Sequence, residues 1–94
     1  MSNLKIIQLL PELNIGGVER GTKDFSKVLV NKGHRSIVIS NGGIFEKDII
    51  NDGGEHIKLP IHKKTPYSLF LSNQLKSIYE REKPDIVHVR SRMP

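Results

Sequence analysis

Lys5-Ile6-Ile7-Gln8-Leu9-Leu10 leads into Pro11-Glu12-Leu13-Asn14-Ile15-Gly16-Gly17, and Val18-Glu19-Arg20 follows. The first six residues read as a short apolar strand, broken only by Lys5 and Gln8. The next seven read as a loop, and a helix opens at Val18. Strand, glycine loop and helix in that order aim backbone N–H groups and a helix N-terminus at an anion. Adjacent glycines permit positive φ and let a ligand approach bare backbone. The same spacing fits a tight βα turn without any ligand equally well.

Working outward, the helix after Gly17 carries Val18, Phe25, Val28 and Leu29 at helical spacing, with Thr22 between them. Asn31-Lys32-Gly33 stops it, Gly33 fitting the C′ position and Lys32 the negative helix end. Arg35-Ser36-Ile37-Val38-Ile39-Ser40 reads as a second strand, closed by Asn41-Gly42-Gly43. Residues 45–52 form a short second helix with Phe45, Ile49 and Ile50 inward, and Gly53-Gly54 ends it. Glu55-His56-Ile57-Lys58-Leu59 is a third strand, closed by Pro60. Thr65-Pro66 is an N-cap and N1 pair for a third helix over 67–82. Tyr67, Phe70, Leu71, Leu75, Ile78 and Tyr79 make its apolar stripe. Pro84 drives Lys83 out of helical geometry, and Asp85-Ile86-Val87-His88-Val89 is the fourth strand.

Strands alternating with helices imply a parallel sheet with right-handed crossovers. The expected architecture is a three-layer α/β unit, βαβαβαβ, with sheet order 3-2-1-4, the first part of a doubly wound sheet. The switch point then lies between strands 1 and 4. Ligands bind there, outside the carboxyl ends of the strands. The loops over 11–17 and 90–94 both face that crevice.

Ninety-four residues allow one domain at most. Apolar residues make up 36%, and the eight glycines remove most of the gap to the ordinary globular range. With no cysteine, disulfides and thiolate metal sites are excluded. The opening residues are too polar for a signal peptide, and no stretch could span a bilayer, so a cytoplasmic protein is expected. A net charge of +5 suits phosphorylated ligands, anionic membrane surfaces or nucleic acid without choosing among them. The basic cluster at 58–64 reads as a solvated face. Five aromatics, most of them on helix stripes, disfavour nucleic acid.

The familiar phosphate loops fail in detail. G-x-G-x-x-G is absent, and Ser40-Asn41-Gly42 offers no acid for a ribose hydroxyl, which disfavours a nicotinamide dinucleotide. Gly16 and Gly21 have P-loop spacing, but Thr22-Lys23 follows where Lys and then Ser or Thr are needed. Glu19 suits the helix dipole on its own, whereas Arg20 opposes it and so points toward an anion or acceptor. Arg90 and Arg92, flanking Ser91, could hold carboxylate or phosphate bidentately, and equally could be ordinary exposed charges. His88 reads as a core histidine. His34 and His56 fall beside strand starts at the far end of the sheet and receive no role. No metal cluster, nucleophile–base pair or carboxylate pair stands out.

Three blocks resemble family-4 glycosyltransferases of the GT-B fold. They are Leu9-Leu10-Pro11-Glu12-Leu13-Asn14-Ile15-Gly16-Gly17-Val18-Glu19-Arg20-Gly21-Thr22, Lys32-Gly33-His34 before strand 2, and Pro84-Asp85-Ile86-Val87-His88-Val89-Arg90-Ser91-Arg92-Met93-Pro94. The resemblance covers the whole chain and keeps the βα register. It implies a partial N-terminal, Rossmann-like, acceptor-side domain over 1–94, without the donor-binding domain such enzymes carry.

The resemblance further implies transfer of a sugar from a nucleotide-sugar donor to a polysaccharide or glycolipid acceptor. Configuration is retained, and no metal or cofactor is needed beyond the donor as co-substrate. Gly16 and Gly17 would face the donor diphosphate. Arg20, Arg90 and Arg92 would line the acceptor side, and no catalytic residue is assigned. Peripheral contact with the inner membrane face fits a glycolipid acceptor. An isolated 94-residue chain is expected to be inactive and to dimerise, through the apolar edge of strand 4 or by packing the half-bare face of the sheet. The other reading is a non-enzymatic, oligomeric βα module that binds an anionic ligand or partner.

Overall fold

The computed structural model describes residues 3–10, 17–59 and 73–90. Gly16, Arg92, the Thr65-Pro66 cap and the positions 67–72 expected to open the third helix lie outside the described residues. Among the described residues seven elements follow in order: β1 (Lys5–Leu9), α1 (Gly17–Asn31), β2 (Arg35–Ser40), α2 (Glu46–Asn51), β3 (Glu55–Lys58), α3 (Asn73–Glu82) and β4 (Ile86–Val89). The four strands form one parallel sheet in the order β3-β2-β1-β4. This is the expected Rossmann-like α/β arrangement.

Local chemistry sets the element ends. Gly33 takes φ +87° beyond α1, and its N–H donates to the Val30 carbonyl at 3.0 Å. A left-handed conformation there costs glycine least. Lys83, ahead of Pro84, also leaves the helical region, at φ +48°. Asp85 then ties β4 to β1 twice: its carboxylate accepts from the Lys5 N–H at 2.7 Å, and its own N–H donates to the Lys5 carbonyl at 2.8 Å. The Nδ1 of His34 accepts the Leu4 N–H at 3.0 Å, which anchors the chain just before β1.

The two faces of the sheet differ in chemistry. Ile7, Leu9, Ile37 and Ile39 face α3 and pack with Leu59, Leu75 and Ile78 in a wholly aliphatic cluster. Fully burying one such side chain contributes about 1.5–3 kcal/mol. The opposite face holds a smaller apolar group, Leu10, Val38, Phe45 and Ile49. Beside it runs a polar layer in which Gln8, Ser36 and Ser40 of the sheet are buried with Thr22 and Ser26 of α1.

That polar layer corrects the apolar stripe expected for α1. The buried side is Glu19, Thr22, Ser26 and Leu29, whereas Phe25 and Val28 are 37% and 45% exposed. Hydroxyls replace hydrophobes because the helix lies close to the sheet: Ser26 Oγ and Ser36 Oγ are 2.6 Å apart. Ile50 of α2 also faces outward rather than into the core.

Candidate functional site

β1 and β4 end side by side, Leu9 paired with Val89, and the Arg90 N–H donates to the Leu9 carbonyl at 2.8 Å. Parallel order brings the carboxyl ends of both strands to the same edge of the sheet. Arg90 therefore stands at the switch point between β1 and β4, against Gly21 and Phe25 of α1.

Its side chain is held on several sides. Arg90 Nε donates to Gln8 Oε1 at 2.7 Å. Gln8 is fully buried, and its Nε2 donates to the Thr22 carbonyl of α1 at 3.3 Å. The guanidinium carbon lies 5.8 Å from the centre of the Phe25 ring, within cation–π range. One terminal nitrogen, Nη1, lies 3.7 Å from where a Cβ would project at Gly21. Among the described residues, the Nη groups make no hydrogen bond. A planar fork with its ε edge fixed and its terminal nitrogens unspent is suited to an oxyanion.

The other expected site residues fare differently. Gly17 is exposed at the first position of α1, with open space where a Cβ would stand. As the first residue of the helix, its N–H has no intrahelical partner, which an anion contact requires. Arg20 is exposed in the same turn and makes no hydrogen bond or ion pair among the described residues. No contact joins it to Arg90, so the structure does not gather the two arginines into one cluster. Gly16 and Arg92 lie outside the described residues. His88 is exposed on β4, not buried as a core histidine.

His56 also departs from expectation. Its side chain reaches the carboxyl end of β2, where Nε2 meets Ser40 Oγ at 2.7 Å, while Nδ1 lies 3.4 Å from Glu46 Oε1. Ser40 Oγ also accepts the Gly42 N–H at 3.0 Å, so the hydroxyl bridges the loop backbone and the ring. Burial holds the His56 pKa below the ordinary imidazole value; Lys58 adds to this and Glu46 opposes it. Although the order serine–histidine–glutamate matches a hydrolytic triad, Ser40 is fully buried and cannot meet a substrate. The trio fastens the β2–α2 loop to β3.

Among the described residues, no three His, Asp or Glu side chains are placed to share a metal ion, and no helix is long and apolar enough to cross a membrane. A shallow groove lined by Gly43, Ile44, Glu46, Lys47 and Ile50 flanks α2, on the β3 side of the molecule from Arg90.

Comparison with known proteins supplies an independent view. Residues 15–94 match glycosyltransferase family 4. A solved structure, a glycosyltransferase from Rickettsia africae ESF-5, superposes on the whole chain with TM-score 0.79 and 37% identity. The chain spans 25% of that protein's length. No curated protein matches the chain.

Proposed function

Because the chain belongs to glycosyltransferase family 4, we propose that it is the N-terminal, acceptor-side part of an enzyme moving a sugar from a nucleotide-sugar to a polysaccharide or glycolipid acceptor. The observation that carries this reading is the guanidinium of Arg90, fixed by Gln8 at the switch point between β1 and β4, with the exposed Gly17 opening α1. Ligands of open α/β sheets bind in that crevice. Gly17, with Gly16 before it, offers backbone N–H groups to the donor diphosphate, and the positive end of α1 adds to their pull. Arg90 faces the acceptor, and Arg20 and Arg92 are kept in this reading as further acceptor-side cations.

In this reading the reaction retains anomeric configuration and runs without a metal. Charge developing on the leaving diphosphate is met by preorganised donors on both sides of a cleft. This chain supplies one side, so alone it does not turn over. A net charge of +5 suits work at the anionic inner face of a membrane from the cytoplasm.

Titration of the isotope-labelled chain with uridine diphosphate tests the proposal. The amides of Gly17, Val18 and Glu19 and the Nε–H of Arg90 should shift at millimolar nucleotide. If none of these resonances moves, the glycine loop is structural only. Glycosylated product formed by the isolated chain would overturn the division of labour.

A further inference from the structure

Gln8 interrupts an apolar strand, and nothing in a plain βα turn calls for a buried amide there. Its two ends meet unlike partners. The Nε–H of Arg90 can only donate, so it must face the amide oxygen, while the Thr22 carbonyl can only accept, so it must face the amide nitrogen. The network thus fixes the amide in one orientation, and the amide in turn fixes the ε edge of the guanidinium. We propose that Gln8 is a positioning residue, which sets Arg90 to receive an acceptor bearing an oxyanion, either phosphate or sugar carboxylate. This rests on the acceptor-side reading of Arg90 and extends it to the chemistry of the acceptor.

Three details support the assignment. An aspartate or glutamate at position 8 would also orient Arg90, but would cancel its charge, whereas the neutral amide orients it and leaves the charge for a ligand. Gly21 keeps the terminal nitrogens clear, since a longer side chain would sweep the space at 3.7 Å from Nη1. The guanidinium carbon lies over the Phe25 ring at 5.8 Å from its centre, which gives the partial exposure of Phe25 a purpose that core packing does not. Among the described residues the ε edge and one face are engaged, and the Nη edge is what remains for a bidentate partner.

The test reads the Arg90 side chain directly. In the unaltered chain, the Nε–H resonance of Arg90 should be resolved and protected from exchange with water relative to that of Arg20. Equal exchange in the two would overturn the proposal without any variant having to fold. Inorganic phosphate and glucuronate are then titrated separately against the chain, Gln8→Met, Gly21→Leu and Arg90→Ala. Arg90→Ala should abolish binding of the preferred anion. Gln8→Met and Gly21→Leu should each weaken it about tenfold while circular dichroism stays unchanged, a factor of the size lost when one oriented hydrogen bond is lost.

Preference for phosphate would point to a lipid-linked phosphate acceptor, and preference for glucuronate to an acidic glycan. If Arg90→Ala abolishes binding and Gln8→Met does not weaken it, Gln8 has no positioning role and the acceptor-side reading of Arg90 stands. If Arg90→Ala binds as well as the unaltered chain, that reading falls and Gln8 with it. Should Gln8→Met fail to fold, Gly21→Leu on the helix surface and the exchange measurement decide the matter.

Discussion

Ser26 Oγ of α1 and Ser36 Oγ of β2 lie 2.6 Å apart, both fully buried, and each is the other's hydrogen-bond partner. Removing either hydroxyl strands the other. Ser26→Ala and Ser36→Ala should each cost about 1–3 kcal/mol. The double variant should cost clearly less than their sum, because both polar groups leave together. Urea unfolding of the four proteins closes the cycle, and strict additivity would show that the hydroxyls are not coupled.

The same close approach makes Gly54 sensitive. A Cβ there would stand 2.8 Å from Ser26 Oγ, 3.0 Å from Ile49 Cγ2 and 3.1 Å from the Ile49 carbonyl oxygen. Gly54→Ala should therefore destabilise by about 1–3 kcal/mol through overpacking. Gly21→Ala provides the contrast. Its Cβ meets only Nη1 of Arg90, at an ordinary 3.7 Å, and a helix gains about 0.5–1 kcal/mol when alanine replaces an interior glycine. Thermal midpoints should move in opposite directions in the two variants.

Tyr79 Oη is buried and has no hydrogen-bond partner among the described residues. Tyr79→Phe should stabilise the chain by up to about 1 kcal/mol, since an unmatched hydroxyl leaves and the ring stays. Burial also raises the Tyr79 pKa above the ordinary phenol value. The native state then holds its proton longer than the unfolded one. Stability is fully present below pH 10 and falls as pH rises through the native pKa. Denaturant midpoints taken from pH 8 to 11 should show this fall in the unaltered chain and lose it in the variant.

His56 acts in the opposite sense. Its lowered pKa means that the unfolded chain binds a proton where the native state does not. Its contribution to stability is therefore fully present above the ordinary imidazole value of 6.5 and is lost as pH falls from there toward the native pKa. Ser40, Glu46 and Lys58 are the groups that face or perturb it. His56→Gln should flatten the pH dependence of the urea midpoint between pH 7 and 5. An unchanged slope would place the titrating group elsewhere.

The fourth strand predicts association. β4 has one hydrogen-bonded neighbour, β1, among the described residues, and Ile86 and Val87 are 49% and 37% exposed. An apolar edge of this kind is a template for another strand. Light scattering at micromolar concentration should show a dimer that Val87→Lys returns to monomer. A folded monomer in the unaltered chain would show that the edge is adequately protected as it stands.

Much of the fold was legible because alternation of strand and helix, with Gly33, Pro84 and the glycine turns as punctuation, leaves one parallel topology. The side chains between the layers were less so. Periodicity counts hydrophobes, and α1 docks through Thr22 and Ser26, so the count selected Phe25 and Val28 instead. Arg90 was visible as a cation at a strand end. Gln8 was visible only as a break in an apolar run, because a buried amide gains meaning from partners 14 and 82 positions away. His56 does sit beside the start of β3, but the reach of its side chain to Ser40 was not legible. Its reach depends on where α2 sets Glu46, which no local pattern encodes.

The contrast between the two faces of the sheet has a mechanical side. Directional bonds key α1 into place, so sliding it by even an ångström would break the Ser26–Ser36 and Gln8–Thr22 contacts together. α3 rests on an aliphatic bed and is pinned at its last residue, where Lys5 Nζ donates to the Glu82 carbonyl at 2.6 Å and to its carboxylate at 3.4 Å. The two layers therefore answer displacement differently: hydrogen bonds between α1 and the sheet admit one register and fail together when it is lost, whereas dispersion contacts beneath the described part of α3 change gradually with distance.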